Sequence, residues 1–225
     1  MTPRTETAAT DPHRAAPRDA RETDRASPLA TVRTLVASAH IGDLVFIRVP
    51  VRPFREVADA TGTWTNHVGI VVDTSAAEPV VAESTFPWAK LTPLTRFVQR
   101  SEGGRVALAR LATPPTADEQ RRMQAAAEKR IGTLYDTGFN LRSRRQFCSR
   151  YVREVLGDAT GVEVGDVETF STLLARRPDA KLGFWRLWYF GRIPWARETV
   201  TPASLLRCDR LTLEFDGIVF DPRRA

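Results

Sequence analysis

Cysteine is nearly absent from this chain: Cys148 and Cys208 are the only two among 225 residues. Two thiols so far apart in sequence exclude a disulfide scaffold. Histidine is almost as scarce, with His13, His40 and His67 the whole supply. Three scattered histidines and two distant cysteines offer no metal-ligand spacing, so neither a metal nor another cofactor is expected. No apolar run approaches the ~18–20 residues that a membrane-spanning helix needs. The opening residues, from Met1 to Glu6, lack the basic cap and apolar stretch of a secretory signal. These absences point to a protein of the reducing cytoplasm.

Lysine is the third scarcity. Lys90, Lys129 and Lys181 are the only ones among 33 basic residues, which outnumber 27 acids and leave a net charge of +6. An excess of this size permits nucleic acid, anionic lipid or acidic substrates as partners and selects none of them. What the chain does have is 42% hydrophobic residues, enough to fill a core and to exclude disorder along the whole length.

Residues 1–30 stand apart. They carry five arginines (Arg4, Arg14, Arg18, Arg21, Arg25), five acids (Glu6, Asp11, Asp19, Glu22, Asp24) and almost no large apolar side chain. This composition predicts a disordered, neutral tail, with an ordered domain over 31–225. Within that domain, β-branched runs are expected as strands at Ile41–Val49, His67–Asp73, Pro79–Ser84, Arg105–Leu111 and Leu211–Phe215. The stretch after Val49 through Thr63 reads as a polar loop. Helices are expected at Thr31–Ser38, Pro93–Arg100, Phe147–Leu156 (stopping at Gly157) and Asp166–Arg177. Another is predicted over Ala117–Ile131, behind the Thr116–Glu119 capping box. Thr201–Arg207 reads as a short capped turn with Pro202 at its first helical position. The fold class is α+β: an antiparallel sheet packed against helices.

Cys148 carries the chemistry expected here. It opens a predicted helix whose apolar face continues through Val152, Val155 and Leu156. Unpaired N–H groups and the macrodipole at a helix start favour an anion and so a thiolate. A buried structural cysteine is the competing reading. His67 opens an otherwise apolar strand and supplies what a thiolate–imidazolium pair requires. A five-residue loop over Asp73–Ala77 would pair Val72 with Glu78 and put Glu83 directly across from His67, ready to orient the imidazole. A four-residue loop would put Ser84 there instead.

Four segments, Gly42–Phe46, Asn66–Ile70, Val81–Glu83 and Gln146–Ser149, taken in order, resemble the permuted papain-like hydrolases. The similarity is to the YiiX/YebB-like branch of the NlpC-type superfamily, with lecithin retinol acyltransferase a more distant cousin. In that family the strands bearing His and its polar partner precede the helix bearing Cys, as His67, Glu83 and Cys148 do here. The resemblance covers roughly residues 38–220. It implies a circularly permuted papain-like fold and a cysteine hydrolase, amidase or peptidase in type, that works through a thioester acyl-enzyme. Tyr135 and the backbone N–H of Cys148 would hold the oxyanion. One departure is Arg150, at a position where the family commonly carries an acid. The expected substrate is a peptide or an acylated small molecule. An acyltransferase or lipid hydrolase with the same dyad is the alternative enzyme, and a non-enzymatic binding module is the alternative outside catalysis. Phe184–Trp195, where aromatics alternate with arginine, reads either as core cover or as a lipid or membrane-surface contact. No nucleic acid partner is expected, because no phosphate loop or recognised binding module accompanies that segment.

Overall fold

The computed structural model describes residues 29–178 and 180–220. Most of the expected tail lies outside these residues, although Leu29 and Ala30, assigned to it above, begin the first strand. In chain order the elements are β1 (Leu29–Thr31), α1 (Val32–Ser38), β2 (Leu44–Ile47), α2 (Arg52–Thr61), β3 (His67–Asp73), β4 (Val80–Ser84), β5 (Ala89–Pro93) and α3 (Leu94–Val98). They continue with β6 (Arg105–Leu111), α4 (Ala117–Glu128), α5 (Cys148–Thr160), β7 (Glu168–Thr169), α6 (Phe170–Ala175), α7 (Gly183–Trp188), β8 (Glu198–Thr199), α8 (Pro202–Leu206) and β9 (Leu211–Phe220).

Seven strands form one sheet in the order β1-β9-β6-β2-β3-β4-β5, antiparallel except for the β1–β9 pair. Helices cover both faces, which is why the central strands read as unbroken apolar runs. Leu44, Phe46, Val68, Ile70, Ala107 and Ala109 point toward Met123, Tyr151, Val152 and Val155 of α4 and α5. Val45, Ile47, Val71, Val106 and Leu108 point the other way, toward Leu35 of α1 and Leu94 and Phe97 of α3. Tyr151 fastens α5 to α4 by donating its hydroxyl proton to the Ala127 carbonyl at 3.0 Å. The Gly42–Asp43 motif has a structural task. Buried Asp43 receives a two-pronged ion pair from Arg110, at 2.7 and 2.8 Å, and accepts the His40 N–H at 2.7 Å. No helix among the described residues is long and apolar enough to cross a membrane.

Several expectations are corrected. The segment read as a loop before Thr63 contains α2. Pro53 sits at its N-terminus, where proline starts helices rather than breaking them, and Gly62 closes it in the left-handed region. Helix α5 passes through Gly157 and ends at Gly161, whose φ of 74° supplies the usual left-handed stop. Helix α4 ends at Glu128, three residues short of Ile131. Helix α6 begins only at Phe170, because Glu168 and Thr169 pair with β8 and Thr169 then caps the helix. Strand β9 runs five residues past Phe215, carried by its bulged pairing with β6. Strand β5, only five residues long and exposed at Lys90 and Leu91, was not foreseen.

Candidate active site

His67 is the first residue of β3, and the chain is locked just before it. Asn66 accepts the Val49 N–H at 2.7 Å and donates to the Val49 carbonyl at 3.0 Å. Thr65 donates to the Ile47 carbonyl at 2.9 Å. The imidazole is 1% exposed. It stacks on Phe97, with ring centroids 5.6 Å apart, and meets the edge of Phe54.

Glu83 is the partner expected, reached by a different register. Val71 pairs with Val81, and a bulge follows at Asp73. The β3–β4 ladder is therefore two residues out of step with the five-residue loop assumed above, and Glu83 falls beside Gly69 instead of His67. A shift of two leaves every side chain on its face, so Glu83 still reaches His67, diagonally. Nε2 of His67 donates to Oε2 of Glu83 at 2.7 Å. Ser84, the other candidate, is buried and donates to the Gln146 carbonyl at 3.0 Å. Gly69 makes the diagonal contact fit, since a Cβ there would meet Val81 and come within 2.9 Å of the Phe97 ring.

The carboxylate is fully buried and held from three sides. Thr92 donates to Oε1 at 2.6 Å, and Arg100 donates to the same Oε2 that His67 uses, at 2.7 Å. Burial alone would raise the Glu83 pKa; His67, Arg100 and Thr92 overcome it and pull it down to about 2. Sequence reasoning missed both Thr92 and Arg100. Thr92 sits on the unforeseen β5. Arg100 lies just beyond α3, with its guanidinium 4.9 Å over the face of Phe97.

Cys148 opens α5 and is 3% exposed. Burial opposes its ionisation, but the His67 imidazole and the backbone N–H groups of Val68 and Ser149 outweigh burial and lower the thiol pKa. In return, His67 is held above its ordinary value: burial lowers it, and Cys148 and then Glu83 raise it. A carboxylate only accepts, so Nε2 carries a proton in either charge state of the ring. Nδ1 is then the atom left for the sulfur. Nδ1 is buried and has no other partner among the described residues. The Tyr135 hydroxyl is also buried without an oxygen or nitrogen partner, and its polar neighbour is the Cys148 sulfur. Burial, reinforced by Cys148, holds that phenol well above its ordinary pKa, so it stays a neutral donor. His67, Glu83, Cys148 and Tyr135 thus come together at one point.

The loop leading to Cys148 is braced. Arg150 donates to the carbonyls of Ser143 and Arg145, at 2.7 and 2.9 Å, and pairs with Glu154 at 2.7 Å. Arg150 therefore builds the approach to the thiol. Beside Cys148 opens a narrow apolar cavity of about 70 Å³, walled chiefly by Phe139, Phe170, Leu173, Trp185, Tyr189 and Val200. Its far wall comes from α6, α7 and the turn before α8, whose meeting at the thiol sequence reasoning did not foresee. The Phe184–Trp195 segment is divided: Trp185 and Ile193 are buried, whereas Leu187 and Phe190 face outward.

A strand histidine and carboxylate preceding a helix-borne cysteine, on a mostly antiparallel sheet, define a papain-like hydrolase fold in permuted order. The signature of the permuted papain-like amidase family YaeF/YiiX, C92, matches residues 38–213, and the chain belongs to that family. The uncharacterized protein YiiX of Escherichia coli (strain K12) is 25% identical over 186 residues, spanning 83% of this chain and 91% of that one. The crystal structure of metalloprotein yiiX from Escherichia coli O157:H7 superposes with a TM-score of 0.70 at 22% identity, covering 80% of this chain and 98% of that one.

The shared Oε2 yields a test. With Arg100 replaced by Met, Glu83 would give its charge to His67 alone, so the imidazolium should persist to higher pH. The alkaline limb of kcat/KM is expected to rise by on the order of half a pH unit. An unmoved limb would show that Arg100 merely packs over Phe97.

Proposed function

We propose that the protein is a cysteine hydrolase in which Cys148, His67 and Glu83 act as a triad on an amide or ester with an apolar acyl group. The observation that carries this reading is the convergence of two otherwise partnerless buried atoms, His67 Nδ1 and the Tyr135 hydroxyl, on the Cys148 sulfur. The thiolate attacks the carbonyl carbon, and its electron pair forms the C–S bond while the carbonyl π pair moves to oxygen. Tyr135 and the Cys148 N–H at the start of α5 are placed to donate to that oxygen. As the tetrahedral centre collapses, the C–N or C–O bond breaks and the His67 Nδ1 proton passes to the leaving group. A water then attacks the thioester, giving its proton to Nδ1, and the acid and the thiolate are restored. Glu83 keeps Nε2 protonated and Nδ1 aimed at the sulfur throughout.

The apolar cavity beside the thiol favours an acyl chain over a polar peptide as the bound part of the substrate. The same wall makes the acyltransferase reading viable, with a second small nucleophile taking the place of water at the thioester. The family's amidase name supports the amide as the bond cleaved. The E. coli structure is named a metalloprotein, but the residues here do not fit a metal. No group of three His, Cys, Asp or Glu side chains among the described residues is arranged to hold a metal ion, and both Glu83 oxygens are already engaged.

Chain length tests the substrate class. Across N-acyl p-nitroanilides from butyryl to decanoyl, kcat/KM should climb about threefold to fourfold per methylene, because each buried CH₂ is worth ~0.8 kcal/mol. A flat series, with acetylated peptides turned over faster, would overturn the acyl reading and leave the triad standing.

A further inference from the structure

The segment Lys181–Arg197 has two faces in different circumstances. Its inner face closes the cavity with Trp185, Tyr189 and Ile193. That face is anchored to the loop preceding the thiol: Trp188 donates to the Thr137 carbonyl at 3.0 Å, and Tyr189 and Arg197 donate to that of Gly138 at 3.2 and 2.8 Å. The outer face is bare. Leu187 is 79% exposed, Phe190 is 95% exposed, and Trp195 is nearly half exposed. Phe190 also takes a φ of 51°, in the left-handed region that a bulky residue seldom occupies. The chain thus tolerates backbone strain at the aromatic residue it exposes most.

Charge identifies what meets this face. Between Lys181 and Arg197 there are four basic residues and no acidic one, and Arg186 and Arg192, which flank the bare apolar residues, are exposed. On the neighbouring side of α7, Arg52 lies 5.5 Å over the Phe184 ring and shares a cleft with Arg177, Lys181, Glu56 and Asp59. Two copies pairing through this face would press arginine against arginine, which opposes self-association. An anionic surface attracts the same residues. We propose that this outer face docks on an anionic lipid bilayer. Leu187, Phe190 and Trp195 enter the headgroup–acyl boundary while Arg186 and Arg192 stay at the level of the phosphates. The docking is independent of the chemistry at Cys148, and it sets the wall of the cavity built by Trp185, Tyr189 and Ile193 against the membrane.

The test uses the full chain, sedimented with vesicles of phosphatidylglycerol and phosphatidylcholine and, separately, of phosphatidylcholine alone. Binding is expected to the mixed vesicles, to weaken with salt, and to shift tryptophan emission to the blue. The double variant Leu187→Ser/Phe190→Ser should partition at least about tenfold less. The pair Arg186→Glu/Arg192→Glu should lose the preference for anionic vesicles. Neither pair lines the cavity, so alkylation of Cys148 should be unchanged in both, which shows them folded and keeps this test separate from that of the hydrolase. A wild type that stays in the supernatant, or a serine variant that binds as the wild type does, would overturn the proposal. So would a lipid-free dimer that the serine substitutions dissociate.

Discussion

Replacing His67 with Ala is expected to slow hydrolysis by a factor on the order of 10³ and to slow alkylation of Cys148 by iodoacetamide at pH 6 by about tenfold. Turnover loses the group that protonates the leaving atom and activates water. Alkylation isolates the other role, since iodoacetamide needs only the thiolate. In the wild type the imidazolium holds the buried thiol below its ordinary pKa, against the cost of burial. Without it, burial is opposed only by the Val68 and Ser149 N–H groups, and the thiol pKa rises. The thiolate fraction at pH 6 then falls. Part of this is returned, because a more basic thiolate is a better nucleophile, with a Brønsted slope of ~0.4–0.5. The shape of the profile is therefore the firmer readout. Wild-type alkylation should level off once pH exceeds the lowered thiol pKa, whereas the variant should keep rising about tenfold per pH unit through pH 8. Superimposable profiles would remove the ion pair and leave a binding module on a papain-like scaffold.

The parts of this site legible in the sequence are those that local chemistry dictates. Strands β3 and β6 stand out as apolar runs because both of their faces are covered, and Thr116 and Thr201 announce their helices by capping boxes. Cys148 is recognisable because an amphipathic helix starts at it. The face shared by His67 and Glu83 survived a wrong loop length only because the error was even. Helix α2 was hidden because its N-cap, Val51, makes no side-chain capping bond and its start carries a proline. Arg100 had no local signature at all: its bond to Glu83 exists only after α3 packs against β4 and β5. The cavity was equally invisible, being assembled from α2, the loop before α5, α6 and α7, which no spacing rule brings together.

Glu83 tests how much of the site depends on that long-range closure. Its carboxyl is held near 2 in the folded chain, below the ~4.3 of an unfolded glutamate. Because the folded value is the lower one, the stabilisation is fully present above about pH 4.3. It is lost as pH falls toward 2. The shift corresponds to roughly 3 kcal/mol for this buried group. In Glu83→Gln the amide keeps the size. Its oxygen, in the place of Oε2, can accept from both His67 and Arg100, and its nitrogen, in the place of Oε1, turns to the Thr92 hydroxyl, which can accept. What is lost is the negative charge that favours the imidazolium, so the His67 pKa falls and the thiolate loses part of its counter-charge. Turnover is expected to fall by about tenfold or more with the native fold retained at pH 7. Urea unfolding followed from pH 7 down to pH 2.5 should show a shallower loss of stability than in the wild type, because the titrating carboxylate is gone. Glu83→Ala should be worse in stability, since the buried Nε2–H of His67 and the partly buried Arg100 guanidinium lose their acceptor and face an empty site. Turnover in Glu83→Gln equal to the wild type, with the same acid limb, would mean that Glu83 neither orients His67 nor carries the buried charge that ties β4, β5 and α3 to the catalytic strand.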